Sequence, residues 1–208
     1  MVKLTGPCMS LGASGTIANA ITFAQWKGRP YARQRVIPSN PETVLQVSMR
    51  AMFKFISQAW DAMGSTPKGT WQDRADATNI LKFNAYVAAN MRRWREFQPP
   101  SQTDPAPETG TAPVAVLSSA TGGVHCMDIL LAITTLNNVW GVVIFRSPTG
   151  TFTPSLSNVV QVLLVDGTGN KVWTDSGLAP GDYYYDAMFF TKEGVLGTAE
   201  GEVTGTAT

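Results

Sequence analysis

A single histidine, His125, stands beside Cys126, and this pair has the widest chemical range in the chain. Both fall in a candidate strand, where neighbouring side chains point to opposite faces. They therefore cannot converge on one ion. A zinc site needs about four convergent ligands, and neither C-x-x-C nor H-x-x-x-H spacing is present. His125 reads as an exposed or edge residue and Cys126 as a core one. A Ser-His-Asp triad would depend on His125 alone, and G-x-S-x-G is absent. The glycine-rich "LGASG" has neither a strand before it nor a Lys-Ser or Lys-Thr and amphipathic helix after it, so no phosphate loop is read there. Asp73 and Asp76 share a face of an expected helix. With Arg74 between them they read as a solvated face, not as ion ligands. Asp166 and Asp175 fall in or near turns, where Asp caps its own backbone. No catalytic residue, cofactor or metal ligand is assigned, and the chain is not expected to be an enzyme.

The other cluster with chemical content is basic and aromatic. "WKGRPYARQRVIP" carries Lys27, Arg29, Arg33 and Arg35, with Trp26 and Tyr31 among them. Pro30 and Pro38 argue against a helix here, so the segment reads as an extended arm. Two uses follow. As an arm lying across acidic neighbouring subunits, its arginines pair with carboxylates and its aromatics anchor the interface. As a nucleic-acid binder, the cations meet phosphates while Trp26 and Tyr31 stack on bases. The arm is preferred, because prolines and small residues disperse the cations and no reader motif frames them. Arg92, Arg93 and Arg95, near the end of an expected helix, join the same partner-binding set.

The charge distribution divides the chain. Residues 1–97 hold thirteen of the sixteen Lys and Arg and five of the fifteen acids, about +8; residues 98–208 are about −7. The change falls at "QPPSQTDPAPETGTAP", residues 98–113, which has five prolines and no apolar period. It reads as a semi-rigid linker between two modules. Before it, residues 1–39 form the basic arm, with "TIANAITF" as one strand of a short hairpin if the arm folds. Residues 40–97 form a three-helix anchoring unit. Asn40 can cap the first helix and Pro41 suits its first position. Leu45, Met49, Met52, Ile56 and Trp60 repeat at helical spacing, with Phe53 and Met63 beside them. That face is wide enough for two partners, and Gly64 ends it. The methionines Met49, Met52 and Met63 read as core filling. A second, shorter helix carries Trp71 and Ala75. The third places Phe83, Tyr86, Val87, Met91 and Trp94 on one side.

Residues 114–208 read as strands. Seven short β-rich runs are separated by turn signals such as "SPTG", "DGTG" and "APGD", which fits an all-β sandwich. Tyr183, Tyr185, Ala187 and Phe189 alternate on one face of their strand and are the expected core. Cys8 and Cys126 are the only cysteines and read as free thiols. No signal-peptide h-region and no apolar run of membrane-spanning length is present.

"SGLAPGDYYYDAMFFTKEG" resembles the late part of a fibronectin type III domain. Leu178, Pro180 and Gly181 match its loop, and Tyr183 or Tyr184 matches its corner tyrosine. The resemblance covers about residues 113–208 and implies a spacer or binding module without catalytic residues. The first module is similar to a family of tailed-bacteriophage structural proteins, on Gln25–Pro41, Trp60 and Phe83–Tyr86. That resemblance implies a virion component made in the host cytoplasm. The long arm and the broadly apolar first helix expose more surface than a small three-helix unit buries, so the protein is expected to work in multiple symmetric copies or on a symmetric platform. Its expected partners are capsid, connector or tail proteins. The whole reads as two modules, a small basic α-helical unit with an extended N-terminal arm followed by a fibronectin type III-like sandwich. The expected function is attachment to a phage head or tail by the first module and display of the second. Nucleic-acid binding by the basic half is the alternative. A glycan- or host-surface-binding module, resting on Trp173, is a further one.

Overall fold

The computed structural model describes residues 2–3, 15–17, 20–36, 42–111, 116–133, 139–165 and 167–208. The chain divides into two units at Pro41/Glu42, not at the Pro-rich stretch. Asn40, Pro41, Cys8 and Asp166 lie outside the described residues.

The first unit is an antiparallel sheet of β1 (Val2–Lys3), β2 (Gly15–Ile17), β3 (Ile21–Trp26) and β4 (Arg29–Gln34), in the order β1-β4-β3-β2. The expected extended arm is thus a hairpin. Lys27 and Gly28 connect β3 to β4 with φ of 49° and 75°. Positive φ at both positions is the two-residue turn whose twist matches paired strands, and Gly28 adopts it at no steric cost. Pro30, which argues against a helix, lies within the strand. It sits opposite Gln25 and just outside the β1 pairing, which begins at Tyr31, so its missing N–H breaks no ladder on that side.

The second unit begins with α1 (Val44–Ala62), α2 (Ser65–Gly69), α3 (Gln72–Thr78) and α4 (Lys82–Arg95). The expected second helix is two, with Thr70 and Trp71 between them. Among the described residues seven strands follow: β5 (Val116–Gly123), β6 (Cys126–Ile133), β7 (Val139–Ser147), β8 (Val159–Leu164), β9 (Gly169–Ser176), β10 (Gly181–Thr191) and β11 (Val203–Ala207). Six fall on the expected runs, whereas the expected seventh run, "GVLGTAEGEV", is irregular but for one bridge at Leu196, and the last strand starts where that run ends, at Val203. They form a three-stranded sheet, β5-β6-β9, and a four-stranded one, β11-β10-β7-β8. All pairs are antiparallel.

Between the sheets lies a core of Met127, Ile129, Leu131, Val142, Ile144, Tyr185, Ala187 and Phe189. Tyr185, Ala187 and Phe189 are buried as their alternation predicts, with Tyr183 partly packed beside them. The opposite face of β7 and β10 is buried too. Trp140, Val143, Phe145, Val162 and Phe190 meet Met52, Phe55, Ile56 and Ala59 of α1. Phe55 packs edge-on against Trp140 and Phe190, at ring distances of 5.0 and 5.1 Å. Helices therefore cover the outside of the four-stranded sheet, and helices and sandwich share one core. The second partner of the wide α1 face is this sheet, not a neighbouring subunit. Leu45 and Phe53, assigned to that face, are 55% and 49% exposed, because the buried stripe runs through Ser48, Ala51, Met52, Phe55, Ile56 and Ala59. The methionine expectation fits: Met52 and Met63 are buried and Met49 is packed against the cluster.

The Pro-rich stretch is not a spacer over its described length. Asn90, inside α4, accepts the Ser101 N–H at 2.8 Å and donates to the Ser101 carbonyl at 3.0 Å. Trp71 donates its indole N–H to the Gln102 carbonyl at 2.8 Å. From the other side, Gln102 and Glu108 donate their N–H groups to the carbonyls of Lys192 and Glu193, just after β10. Residues 99–108 form a strap bonded to both helices and sandwich. The charge boundary at residue 98 is thus no structural boundary.

Gly141 tests the shared core. A Cβ there would run into the rings of Phe190 and Phe55. Overpacking of this kind costs about 1–3 kcal/mol. Gly141→Ala is therefore expected to lower the urea midpoint, with tryptophan fluorescence and far-ultraviolet dichroism shifting together. Independent loss of the helical signal would contradict the shared core.

Candidate partner-binding face

The β3–β4 register sorts the basic segment by face. Trp26 pairs with Arg29, Ala24 with Tyr31, and Thr22 with Arg33, so these six residues share one face. Thr16 of β2 extends it, its hydroxyl 3.2 Å from that of Thr22. The other face carries Ile21, Phe23, Gln25, Pro30, Ala32 and Gln34, with Phe23 buried. Trp26 is 65% exposed. Arg29 and Arg33 are exposed and Tyr31 is half-buried between them. Lys27, at the turn, holds its ammonium 4.8 Å from the centre of the Trp26 ring. Arg35 follows β4 and donates its backbone N–H to the Ala20 carbonyl at 2.7 Å. The sheet thus gathers onto one surface four of the six residues named in the arm. Its unit holds five Lys and Arg and no acid, whereas residues 42–208 hold eleven against fifteen acids, a formal −4.

The helical arginines belong to the second unit. Arg93 is taken up internally: it donates to the Pro99 carbonyl at 2.9 Å and to Glu108 at 2.6 Å. It is thereby a strap residue, a correction to its place in the partner-binding set. Arg92 and Arg95 are exposed. A cleft of about 350 Å³ lies between Trp71, Asn90, Arg93, Ser101 and Asp104. Its main charges are already matched, since Arg74 grips Asp104 with two bonds of 2.6 and 2.8 Å. Nothing in the sequence singled out Asp104, Glu108 or Asn90, because their partners are fixed only by tertiary packing.

The sandwich uses its polar groups structurally. Asp175 accepts from Arg146 at 2.6 Å and from the Tyr185 hydroxyl at 2.9 Å, linking β7, β9 and β10. Burial, then the Asp175 charge, pushes the Tyr185 pKa far up, so this phenol stays a donor. Asp175 is therefore not a turn residue. Tyr183 donates to the Ala179 carbonyl at 3.1 Å. A tyrosine hydroxyl bonded a few residues upstream is the corner geometry, which identifies Tyr183 over Tyr184. His125 is in the β5–β6 turn at φ 53°, not in a strand. Its Nδ1 lies 3.0 Å from the Leu178 carbonyl. Cys126 is a free, half-buried thiol. Asp73 and Asp76 are exposed, and Asp76 accepts from Gln72 at 2.7 Å. Among the described residues no group of three His, Cys, Asp or Glu is placed to hold a metal ion. Among them, too, no helix is long and apolar enough to cross a membrane.

The three-on-four strand division and the corner tyrosine define a fibronectin type III-like sandwich, braced on one side by helices. No family model matches the sequence, and no curated protein matches it. Solved structures resemble part of it. A β-1,2-glucanase from Parabacteroides distasonis is 17% identical with a TM-score of 0.40, over 50% of this chain and 14% of the glucanase. A Fn3-like protein from Clostridium thermocellum is 18% identical with a TM-score of 0.37, over 47% of this chain and 96% of that one. Chicken CNTN1 FN1-FN3 domains give 17% identity and a TM-score of 0.33, over 51% and 35%. This chain thus spans a small fraction of the glucanase, and the likenesses carry nothing about activity.

Asp186 of β10 gives a pH test of the second unit. Burial raises its carboxyl pKa; bonds from the Ala187, Gly201 and Glu200 N–H groups oppose this, and the Glu202 charge adds to it. Glu200 is raised by burial and by Asp186. With folded values above unfolded ones, the stabilising contribution is complete below about pH 4 and is lost as pH rises through the folded values. Urea midpoints at a series of pH values are expected to carry this falling component above pH 4. Asp186→Asn is expected to flatten it; an unchanged profile would contradict the assignment.

Proposed function

We propose that this chain is a non-enzymatic structural protein of a tailed-phage virion. It attaches through its N-terminal sheet and presents the helix-braced sandwich from the head or tail exterior. The observation that carries the reading is the exposed Trp26–Arg29–Tyr31–Arg33 face, in an acid-free unit joined to an acidic body. A basic surface of this kind recruits an acidic partner by charge complementarity, and exposed aromatics anchor it. The resemblance over Gln25–Pro41, Trp60 and Phe83–Tyr86 supplies the phage context. Capsid, connector or tail proteins in symmetric array are the proposed partners.

The boundary between attachment and display moves in this reading. It falls at residue 41, because the helices are part of the displayed body. The glycan alternative rests on Trp173, which is half-buried against the inter-sheet core and offers only part of its ring.

The test is incorporation into particles assembled without the protein. Full-length chain is expected to join them, and residues 42–208 alone are not. Arg29→Glu with Arg33→Glu is expected to weaken attachment, each lost pair contributing roughly 0.5–3 kcal/mol. Uptake of 42–208 as efficient as that of the full chain would reverse the assignment.

A further inference from the structure

We propose that the Trp26–Arg29–Tyr31–Arg33 face of the β3–β4 hairpin binds single-stranded nucleic acid. The inference rests on the reading of the N-terminal unit as the binding element, though not on its partner being a phage protein. Its ground is the sheet register, which an extended arm would not have. In an extended arm Arg29, Tyr31 and Arg33 already share a side, but nothing holds Trp26 beside them. In the hairpin they stand on one surface, with Ala24 and Thr22 as low floor between them.

Trp26 faces Arg29, and Tyr31 lies two residues beyond Arg29 on the same strand. The two residues are therefore diagonal neighbours, about 7–8 Å apart and somewhat less at Cβ. That spacing sets two aromatic platforms side by side on an open antiparallel sheet, an arrangement on which successive bases stack. Arg29 and Arg33 flank Tyr31 along β4, in line with a backbone that crosses the face. Lys27 places a further cation over one face of the Trp26 ring, which leaves the other face for a base. Thr16 and Thr22 add hydroxyls that can donate to phosphate or sugar oxygens.

Charge complementarity selects the ligand class, and the rings select within it. No acid in residues 1–41 opposes a polyanion. A duplex would meet the cations but keep its bases stacked within the helix. A single strand satisfies both sets of groups at once.

The experiment uses the full chain with fluorescein-labelled dT20, rU20 and a 20-base-pair duplex, titrated across a salt series. The expected result is a dissociation constant on the order of 10⁻⁶ M at low salt for a single strand, weakening steeply with salt. The dT20 and rU20 arms show whether the ligand is DNA or RNA. Trp26→Ala is expected to weaken binding roughly 5- to 100-fold, and Trp26→Phe to restore most of it. Arg29→Ala with Arg33→Ala is expected to reduce the salt slope by about 1.4. Gln25→Glu with Gln34→Glu is the charge-matched control: it removes two units of net charge from the opposite face and is expected to do less. These positions are exposed, so the fold should survive, which far-ultraviolet dichroism checks. Absence of binding at low salt would overturn the inference while leaving attachment to a protein partner standing. So would equal loss from the glutamine pair, or duplex binding as tight as single strands with no effect of Trp26→Ala.

Discussion

Strand β7 is the constraint on which the second unit depends. Its residues from Val139 to Phe145 are all buried. Val142 and Ile144 face the opposite sheet, while Trp140, Val143 and Phe145 face the helices. A strand buried on both faces needs a cover on each side, since each large apolar side chain left in water forfeits roughly 1.5–3 kcal/mol. The second sheet supplies one cover and α1 the other. Gly141 permits the closest approach of that cover, with Phe55 and Phe190 meeting where its side chain would be. The strap at 99–108 follows from the same demand. Once α4 is fixed against α1, the chain must cross from helix to sandwich, and its polar groups bond to both.

Much of the fold was legible. Six strands follow from their apolar runs and turn residues, and the buried set of Tyr185, Ala187 and Phe189 follows from period two. The last strand, "VTGTA", was missed because its small and hydroxyl residues carry no apolar run. The outer burial of β7 was also written in the residues, since "VWGVVIFRS" has no polar alternation, and a continuous apolar run marks a strand covered on both faces. The width of the α1 face carried the matching half of that signal. The strap was harder to see. Proline content describes local stiffness, but it does not say whether Asn90 or Lys192 stands ready to bond the backbone.

The candidate face was legible in composition and not in geometry. Trp26, Tyr31 and the arginines were evident, yet the prolines argued only against a helix and left the segment as an extended arm without a partner strand. The two-residue Lys27–Gly28 connection between runs of equal length was the available hairpin signal. Pro30 obscured it, because its compatibility with β4 depends on where β1 stops pairing. Arg93 failed for the opposite reason: the helix dipole explains a cation at that end of α4, but its partner Glu108 lies in a segment that local rules describe as a spacer.

The contact of Phe55 with Phe190 also sets an order on biosynthesis. The apolar side of α1 leaves the ribosome long before β10 exists to cover it. At about 5–20 residues per second, the interval is on the order of ten seconds. During that time the nascent chain presents a greasy helix to the cell, and chaperone occupancy in this window, more than the stability of the finished fold, governs how much protein escapes aggregation.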